Sequence, residues 1–330
     1  MPSTQSLGFT RSTADECVYI KRTHKSTLRI TIYVNNLGLF ATSKSKMAKL
    51  KQDLKDNFTM MDLGEMKKIL GIQVIWDQQA GTLKILQSTY IDKILMHFNM
   101  ANVNPVLTPL SKNVKLEDIK AQAKDPKMPY AKAIRSLMYT AIQMRPDISF
   151  VVQHLSQYTT NPTQEHWTTV KHVLWYLKGT CDEGIVYSWT GNTPQLKIYS
   201  DTNFANRMDA KSISGYACII DGACIVWSSK KQGTVALSTT EVEYIVLTHA
   251  AKQMTWIHCL LDEIGLEKRD PTPIHCNNLL KCHNNHTRCD ISHVDKAHQH
   301  LLSFYSWKSG FKQSITHLCR IEGQHCGYHD

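Results

Sequence analysis

The spacing of apolar residues changes from helical to alternating near residue 196, and this change most constrains the fold. Over residues 130–178 apolar side chains recur every three or four positions, which is typical of packed helices. From Leu196 they alternate, which predicts strands with one buried face. The predicted order is three strands (196–200, 215–220, 225–228), a long helix (239–264), a fourth strand (273–276) and a last helix (293–309). This order predicts a mixed sheet covered by helices.

Carboxylates stand at informative points of this pattern. Asp201 ends the first of these strands, Glu241 lies in the first turn of the long helix, and Asp295 opens the last helix. Asn277 follows the fourth strand, where a further carboxylate would be expected. Mg²⁺ prefers carboxylate oxygens, and two such ions can clamp the attacking and leaving oxygens of a phosphodiester. The order of elements and acids is the plan of an RNase H-like nuclease, with Mg²⁺ or Mn²⁺ bound weakly because one acid is missing.

Each acid also has an ordinary structural explanation. A lone Asp after a strand, such as Asp201, is commonly a turn or capping residue. Glu241 and Glu243 both lie in the first turn of the long helix, where acids are favoured by the helix dipole. Sequence spacing alone leaves the choice between these two glutamates open.

The N-terminal half predicts a smaller antiparallel sheet with helices. Strands are expected at 17–21 and 28–34, and Ser43 is expected to cap a helix that runs to about residue 57. Residues 72–76 and 82–86 flank a turn with Gly81 and predict a hairpin. The helical part that follows predicts three helices, and the second of them begins at Pro146. The fold class is therefore α/β (α+β).

Composition restricts the environment and the partners. The chain has 330 residues and a formal net charge of +10, and residues 1–120 carry 17 Lys and Arg against 10 Asp and Glu. This charge suits a phosphate backbone, although a solvated basic surface is an equal alternative. The ten cysteines form no Cys-x-x-Cys pair, and there is no long apolar run. We expect a reduced, intracellular protein, cytoplasmic or nuclear, with no membrane partner.

Short segments along the whole chain resemble the Pol polyprotein of copia-type LTR retrotransposons. These segments occur in the same order as in the family. They are Ser6–Thr10, Tyr33–Asn36, Met61–Glu65, Leu70–Ile72, Ser136–Tyr139, Arg145–Asp147, Asn161–Thr163, Ser214–Tyr216, Trp227–Gln232 and Ser238–Tyr244. The resemblance implies a partial reverse transcriptase palm at 1–115, a helical thumb or connection at 116–190, and an RNase H-like domain at 191–330. It also implies an RNA–DNA hybrid as partner, with other Pol segments possible and the oligomeric state open.

The resemblance places degenerate residues at the polymerase site. The family's palm turn reads Tyr-Val-Asp-Asp, and its two acids bind the metals of DNA synthesis. Here Asn35 and Asn36 stand in their place, and an amide offers one neutral oxygen and no anionic charge. The family's third polymerase Asp would lie upstream of this chain. We therefore expect no DNA synthesis by this chain alone.

For the RNase H part, the resemblance assigns metal binding to Asp201, Glu241 and Asp295 and selects Glu241 over Glu243. Asn277 stands at the degenerate acid position, which predicts impaired hydrolysis. The segment containing Ser228, Ser229, Lys230 and Lys231 is expected to contact the nucleic-acid backbone, and the alternative is a strand followed by a basic turn. A last strand is expected at 315–318, and the tail at 323–330 departs from the family.

Two further interpretations remain open. Zinc would suit a set of Cys and His side chains near the fourth strand, although their spacing fits no common finger: Cys276, Cys282, His283, His286, Cys289 and His293. For the whole chain, the alternatives to an impaired nuclease are a catalytically dead nucleic-acid-binding remnant and a decayed element without function. Salt-dependent binding to a hybrid duplex would discriminate between the last two.

Overall fold

The computed structural model describes most of the chain. The described residues are 7–23, 26–111, 114, 128–189, 195–203, 211–266 and 272–276, together with the backbone of 315–321. Asn277, Asp295, the predicted helix at 293–309 and the tail at 323–330 lie outside the described residues.

The first sheet is built mainly from the N-terminal hairpins. Its strands within the first 65 residues are β1 (Thr10–Arg11), β2 (Val18–Thr23), β3 (Ser26–Tyr33), β4 (Asn36–Ala41) and β5 (Met60–Glu65). Helix α1 (Lys44–Asn57) begins where predicted, because the Ser43 side chain accepts a hydrogen bond from the Lys46 backbone N–H. The buried residues of α1, Met47, Leu50 and Leu54, pack in the same apolar cluster as Ile30 and Leu39 of the sheet.

A strand from the far end of the chain completes this sheet. Strand β14 (Ile315–Ile321) lies between β4 and β5 and runs antiparallel to both, so the sheet order is β1-β2-β3-β4-β14-β5. The sequence predicts a strand at 315–318 within the C-terminal domain. The strand is present, but it pairs with the N-terminal sheet. Two strand edges offer unpaired backbone groups here, and inserting one strand satisfies both.

The second sheet connects the N-terminal part to the helices. It contains β6 (Lys68–Ile69), β7 (Ile72–Asp77), β8 (Thr82–Leu86) and β9 (Ile185–Ser188) in the order β6-β7-β8-β9. The predicted hairpin is β7 and β8, with Gly81 at a positive φ of 63° in its turn. Strand β9 comes from a distant part of the chain and pairs antiparallel with β8.

Four helices form a separate apolar cluster. They are α2 (Ser88–His97), α3 (Tyr130–Gln143), α4 (Pro146–Ser156) and α5 (Gln164–Gly179). Pro146 lies in the first turn of α4, where its missing N–H has no helical partner to lose. Thr163 caps α5, and its side chain accepts a hydrogen bond from the His166 backbone N–H. The all-helical prediction for this part of the chain is confirmed.

The third sheet has one parallel neighbour in an otherwise antiparallel arrangement. Strands β10 (Leu196–Asn203), β11 (Ile213–Ile220) and β12 (Ala223–Lys231) form consecutive hairpins, and β13 (Ile274–Cys276) runs parallel to β10. The sheet order is β12-β11-β10-β13. Helix α6 (Thr239–Glu263) packs on the sheet face that carries Ile198 and Ile274. Parallel pairing of β13 with β10 follows from this helical crossover.

One apolar core joins the three sheets. It contains Val18 and Ile20 of the first sheet, Leu83 of the second and Ile198 of the third. The carboxyl end of α6 also meets the first sheet, because buried Arg29 donates a hydrogen bond to the Ile264 backbone oxygen at 2.7 Å. A cation suits this helix end, where backbone carbonyls lack helical partners. Mixed helix and sheet structure is thus confirmed. No helix among the described residues is long and apolar enough to cross a membrane.

Candidate functional site

The first candidate site is the tip of the β3–β4 hairpin. Tyr33 pairs with Asn36, so Val34 and Asn35 form a two-residue turn. Val34 has a positive φ of 52° at the first turn position, where Gly is usual. A β-branched residue in this region is strained, and such strain often accompanies a functional site. Asn35 and Asn36 are half-buried at this tip, and neither supplies an anionic oxygen.

The second candidate site begins at Asp201 on β10. Alternation along β10 buries Ile198 and Ser200, while Tyr199 and Asp201 are exposed on the other face. Asp201 pairs with Gly215 of β11, and its Oδ1 accepts a hydrogen bond from the Thr202 backbone N–H at 2.8 Å. The carboxylate therefore lies at an open end of the sheet, where it can meet groups from the start of α6.

Glu243, rather than Glu241, is the glutamate that α6 buries and whose pKa responds to the charge of Asp201. The Glu243 side chain is buried, with 8% of its surface exposed. Burial, and then the negative charge of Asp201, raise the pKa of the Glu243 carboxyl above its usual range. The two glutamates are two residues apart, or about 200° around the helix, so they cannot share one face.

Glu241 has a capping role in this structure. Its Oε2 accepts a hydrogen bond from the Leu237 backbone N–H at 2.8 Å, and its own backbone N–H donates to Ser238 Oγ at 3.2 Å. An acid at this helix position also favours the helix dipole. Both observations fit the structural explanation of Glu241, and the assignment of metal binding to it stays a prediction that this geometry does not favour.

Gln232 holds the start of α6 against the sheet. The residue is buried, and its Nε2 donates to Ser214 Oγ at 2.7 Å and to the Val242 backbone oxygen at 3.1 Å. These contacts fix the first turn of α6, and therefore Glu243, beside the strand next to Asp201. Sequence reasoning placed Gln232 in a motif but missed this role. A buried amide at the end of a basic segment was the available signal, since such groups require partners.

Asp201 and Glu243 are both carboxylates, and a metal site at this junction stays a prediction. Two carboxylates whose charges repel each other are stabilised by a hard cation between them, and carboxylate oxygen is its preferred ligand. Within the residues that the structure describes, no group of three or more His, Cys, Asp or Glu side chains is placed to hold a metal ion. Asn277 and Asp295 lie outside the described residues, so the structure describes only Asp201 and Glu241 of the four predicted site residues.

The predicted basic segment is divided between the two sides of the third sheet. Lys231 donates a hydrogen bond from Nζ to Gln157 Oε1 at 3.1 Å, on the side of α4. Lys230 lies toward α6. The pKa of His249 on α6 is lowered by burial, then by the charge of Lys252 and then by that of Lys230. Alternation along β12 produces this division. A contact between all four residues of the segment and one backbone stays a prediction.

A groove runs between the exposed face of the third sheet and the start of α4. We call it the α4 groove; its volume is 620 Å³. Asp201, Gly215, Ser228 and Ser229 are among its lining residues, and Phe150 lines it from α4. Asp201 therefore lines the α4 groove, and its charge also affects the pKa of Glu243.

The zinc interpretation depends on residues that are mostly outside the described part of the chain. Of the proposed ligands, Cys276 is described, and its Sγ lies 2.7 Å from Ser200 Oγ. Burial raises the pKa of the buried Cys218 thiol to about 12 and that of the half-buried Cys224 thiol to about 11. Thiols with such raised pKa values are poor nucleophiles.

Comparison with known proteins identifies related sequences. Residues 3–112 match the family described as reverse transcriptase (RNA-dependent DNA polymerase). The chain is 37% identical to the retrovirus-related Pol polyprotein from transposon TNT 1-94 of Nicotiana tabacum over 274 residues, which are 81% of this chain and 20% of that protein. It is 33% identical to the corresponding polyprotein from transposon RE1 of Arabidopsis thaliana, over 83% of this chain and 18% of that protein.

A shorter relative is covered almost completely. The secreted RxLR effector protein 161 of Plasmopara viticola is 40% identical over 131 residues, which are 39% of this chain and 92% of that protein. No solved structure matches the chain. The chain spans about a fifth of the length of the transposon polyproteins. From the reverse transcriptase match and from these polyproteins, the chain belongs to the family of retrovirus-related Pol polyproteins of copia-type transposons.

Proposed function

We propose that this chain is a reverse transcriptase and RNase H unit whose remaining chemistry is weak, Mg²⁺-dependent hydrolysis of the RNA strand of RNA–DNA hybrids. Residues 1–115 would be the partial palm, 116–190 the helical connection and 191–330 the RNase H-like domain. The observation that carries the proposal is the geometry of the β10–α6 junction: Asp201 pairs with Gly215 of β11, and Gln232 joins the adjacent Ser214 to the first turn of α6, which carries buried Glu243.

The topology of the third sheet supports the proposal. Three antiparallel strands followed by a helix and a strand parallel to the first is the order expected for an RNase H-like unit, and this is the order β12-β11-β10-β13 with α6. In this arrangement the ends of β10 and β13 and the first turn of α6 converge. Acids placed there can bind one cation set although they are distant in sequence.

Each residue has a definable part in the proposed reaction. Asp201 and Glu243 would hold the divalent ions, which stabilise the charge that develops on the phosphodiester oxygens. Gln232 positions Glu243 through the Val242 backbone oxygen. Asn277 would replace a carboxylate with a neutral amide, which weakens metal affinity and the neutralisation of transition-state charge. Asp295 would complete the set.

DNA synthesis is not part of the proposed function. The strained β3–β4 turn lies where the sequence resemblance places the family's palm turn, but its tip has Asn35 and Asn36. Without carboxylates at these positions the turn has no anionic ligand for the metal ions that activate a primer hydroxyl.

Cleavage of a labelled RNA–DNA hybrid by the full chain in Mg²⁺ tests the proposal. Glu243→Gln should lower the rate about 100-fold or more, as expected when one preorganised electrostatic group is lost. Glu241→Gln is the matched control, since it removes the same charge from the same helical turn and keeps an oxygen for the Leu237 N–H. Asn277→Asp should raise the rate by a similar factor of about 100.

The outcomes separate the two glutamates and the two functions. Loss of cleavage in Glu241→Gln with full activity in Glu243→Gln would contradict the site proposed here. Absence of cleavage in both the unaltered chain and Asn277→Asp, in protein with a folded circular dichroism spectrum, would leave nucleic-acid binding as the function.

That second function has an observation of its own. Lys230 and Lys252 lie near enough to His249 for their charges to lower its pKa, so the α6 side of the sheet is locally basic. Phosphate contacts through these lysines would weaken steeply as salt rises. Hybrid binding that is independent of salt would contradict this function.

A further inference from the structure

We infer that the α4 groove binds an unpaired nucleobase of a single-stranded nucleic acid, with the sugar beside Gly215 and the adjoining phosphate near the Ser229 hydroxyl. The inference does not require a metal ion at Asp201. The base-binding part depends on the groove itself.

The floor of the groove is a row of side chains that crosses all four strands. Trp227 of β12 pairs with Ala217 of β11, Ala217 pairs with Tyr199 of β10, and Tyr199 pairs with His275 of β13. All four residues line the groove. Residues directly paired across a sheet share a face, so the row presents aromatic groups at both ends and a small side chain between them.

Tyr199 and His275 form a stacking platform. Their ring centroids are 4.9 Å apart with an interplanar angle of 21°. Tyr199 is 45% exposed, so its ring is accessible to a ligand in the groove. A nucleobase can extend this stack, because each base presents a π-face whatever its identity.

The opposite wall and the far end of the row define the width of the groove. Phe150 of α4 is 39% exposed and lines the wall that faces the sheet. Trp227 is fixed, because its Nε1 donates to the Ala141 backbone oxygen at 2.8 Å. A volume of 620 Å³ lies within the range of small-molecule pockets, which is about 300–1,000 Å³. The groove therefore fits one nucleotide with its base between the aromatic groups.

The next row explains how the phosphate would be placed. Ser229, Gly215 and Asp201 are paired in that order on β12, β11 and β10. Gly215 leaves open space beside Asp201. A Cβ atom at this position would make only van der Waals contacts, at 3.6 Å from the Ser228 backbone oxygen and 3.9 Å from the Asp201 backbone oxygen. The sugar can occupy this space, and the Ser229 hydroxyl can donate to a phosphate. The net charge of +10 favours a polyanionic ligand.

Binding of a short fluorescein-labelled single-stranded oligoribonucleotide to the full chain, in EDTA, tests the inference. Tyr199→Ala should weaken binding about 10-fold, while Tyr199→Phe should stay within about twofold of the unaltered chain, because stacking needs the ring and not the hydroxyl. Gly215→Val should also weaken binding, since the added side chain fills the space beside Asp201 and has room at its Cβ. Trp227 fluorescence should change when the base enters the groove.

An oligoribonucleotide of the same length with abasic positions is the matched ligand control. Equal affinity for the intact and abasic ligands, or equal affinity of Tyr199→Ala and Tyr199→Phe, would overturn the inference. Base-dependent binding without cleavage of a hybrid would contradict the proposed hydrolysis and support base binding in the α4 groove. Cleavage without base-dependent binding would support the hydrolysis and contradict base binding in the groove.

Discussion

The β3–β4 hairpin and the β10–α6 junction are two candidate sites of one chain, and they differ in charge. The hairpin has a two-residue turn with a strained Val34, and its tip has Asn35 and Asn36. The β10–α6 junction has Asp201 and Glu243, and the second of these acids is buried. One candidate site therefore presents neutral amides and the other presents carboxylates.

The difference shows that fold and site chemistry depend on separate residues. The hairpin is stabilised by backbone pairing and by buried side chains such as Ile30 and Leu39, and none of these contacts needs an acid at the tip. At the junction, Gln232 fixes the helix start through neutral hydrogen bonds. In either region an acid can therefore be replaced by its amide while the surrounding structure is kept.

The largest expected effect is on the cores that support the two sites. Leu39→Ala and Ile198→Ala each remove a fully buried side chain, and each should lower the free energy of unfolding by about 3 kcal/mol. Because one apolar core joins Ile198 to Val18 and Ile20 of the first sheet, urea unfolding followed by circular dichroism should show a single transition in both variants. Leu107→Ala, at a residue that is 97% exposed, is the control. Two transitions, each sensitive to one variant, would show that the regions fold independently.

Acids placed at the tip of the β3–β4 hairpin would give it a pair of carboxylates, as at the β10–α6 junction. Asn35→Asp combined with Asn36→Asp should lower stability in EDTA by about 0.5–1 kcal/mol, because two like charges meet at the tip. Mn²⁺ should recover this loss in thermal unfolding by binding between the carboxylates. Asn104→Asp, at an exposed loop position, should show no response to Mn²⁺. An absence of recovery in the double variant would mean that the hairpin no longer has the geometry of a metal site.

Acid should destabilise the helical region that separates the two sites. His166 is buried, which lowers its pKa, and its Nδ1 accepts the Thr163 backbone N–H at 3.0 Å. Since the folded state disfavours the protonated ring, stability is full above the ordinary histidine pKa of about 6.5 and falls as pH drops below it. Urea midpoints should therefore fall between neutral and mildly acidic pH. His166→Gln should reduce this fall, and the exposed control His97→Gln should not.

The smallest expected effect concerns the charge of Glu243. Its pKa is raised in the folded state, so the carboxyl contributes most to stability when protonated, and that contribution is lost as pH rises through the raised pKa. In EDTA at neutral pH, Glu243→Gln should raise the melting temperature slightly, and the gain should disappear at pH values below the ordinary carboxyl range. Glu241→Gln should give no such gain, since Glu241 caps a backbone N–H. A higher melting temperature for Glu241→Gln, without one for Glu243→Gln, would contradict the roles assigned to the two glutamates.

Sequence patterns predicted many of the local elements, although they did not indicate β4, β5 or β9. Ser43 and Pro146 mark helix starts where capping and proline chemistry predict them, and Gly81 lies in the turn between β7 and β8. These features depend on hydrogen bonds and steric preferences within a few residues, so they can be inferred from neighbours in the chain. The sequence likewise indicated the family and the loss of acids at Asn35 and Asn36.

The tertiary structure brings together groups that are distant in the chain. It buries Glu243 rather than Glu241 against the third sheet, because residues two apart on a helix face nearly opposite directions and the docking of α6 selects one of them. It also inserted β14 between β4 and β5 and brought Arg29 to the end of α6. The spacing of apolar residues predicts that a side chain is buried, but it does not predict which residues the side chain contacts. Those residues lie far away in the sequence, and the packing of the whole core determines where they are.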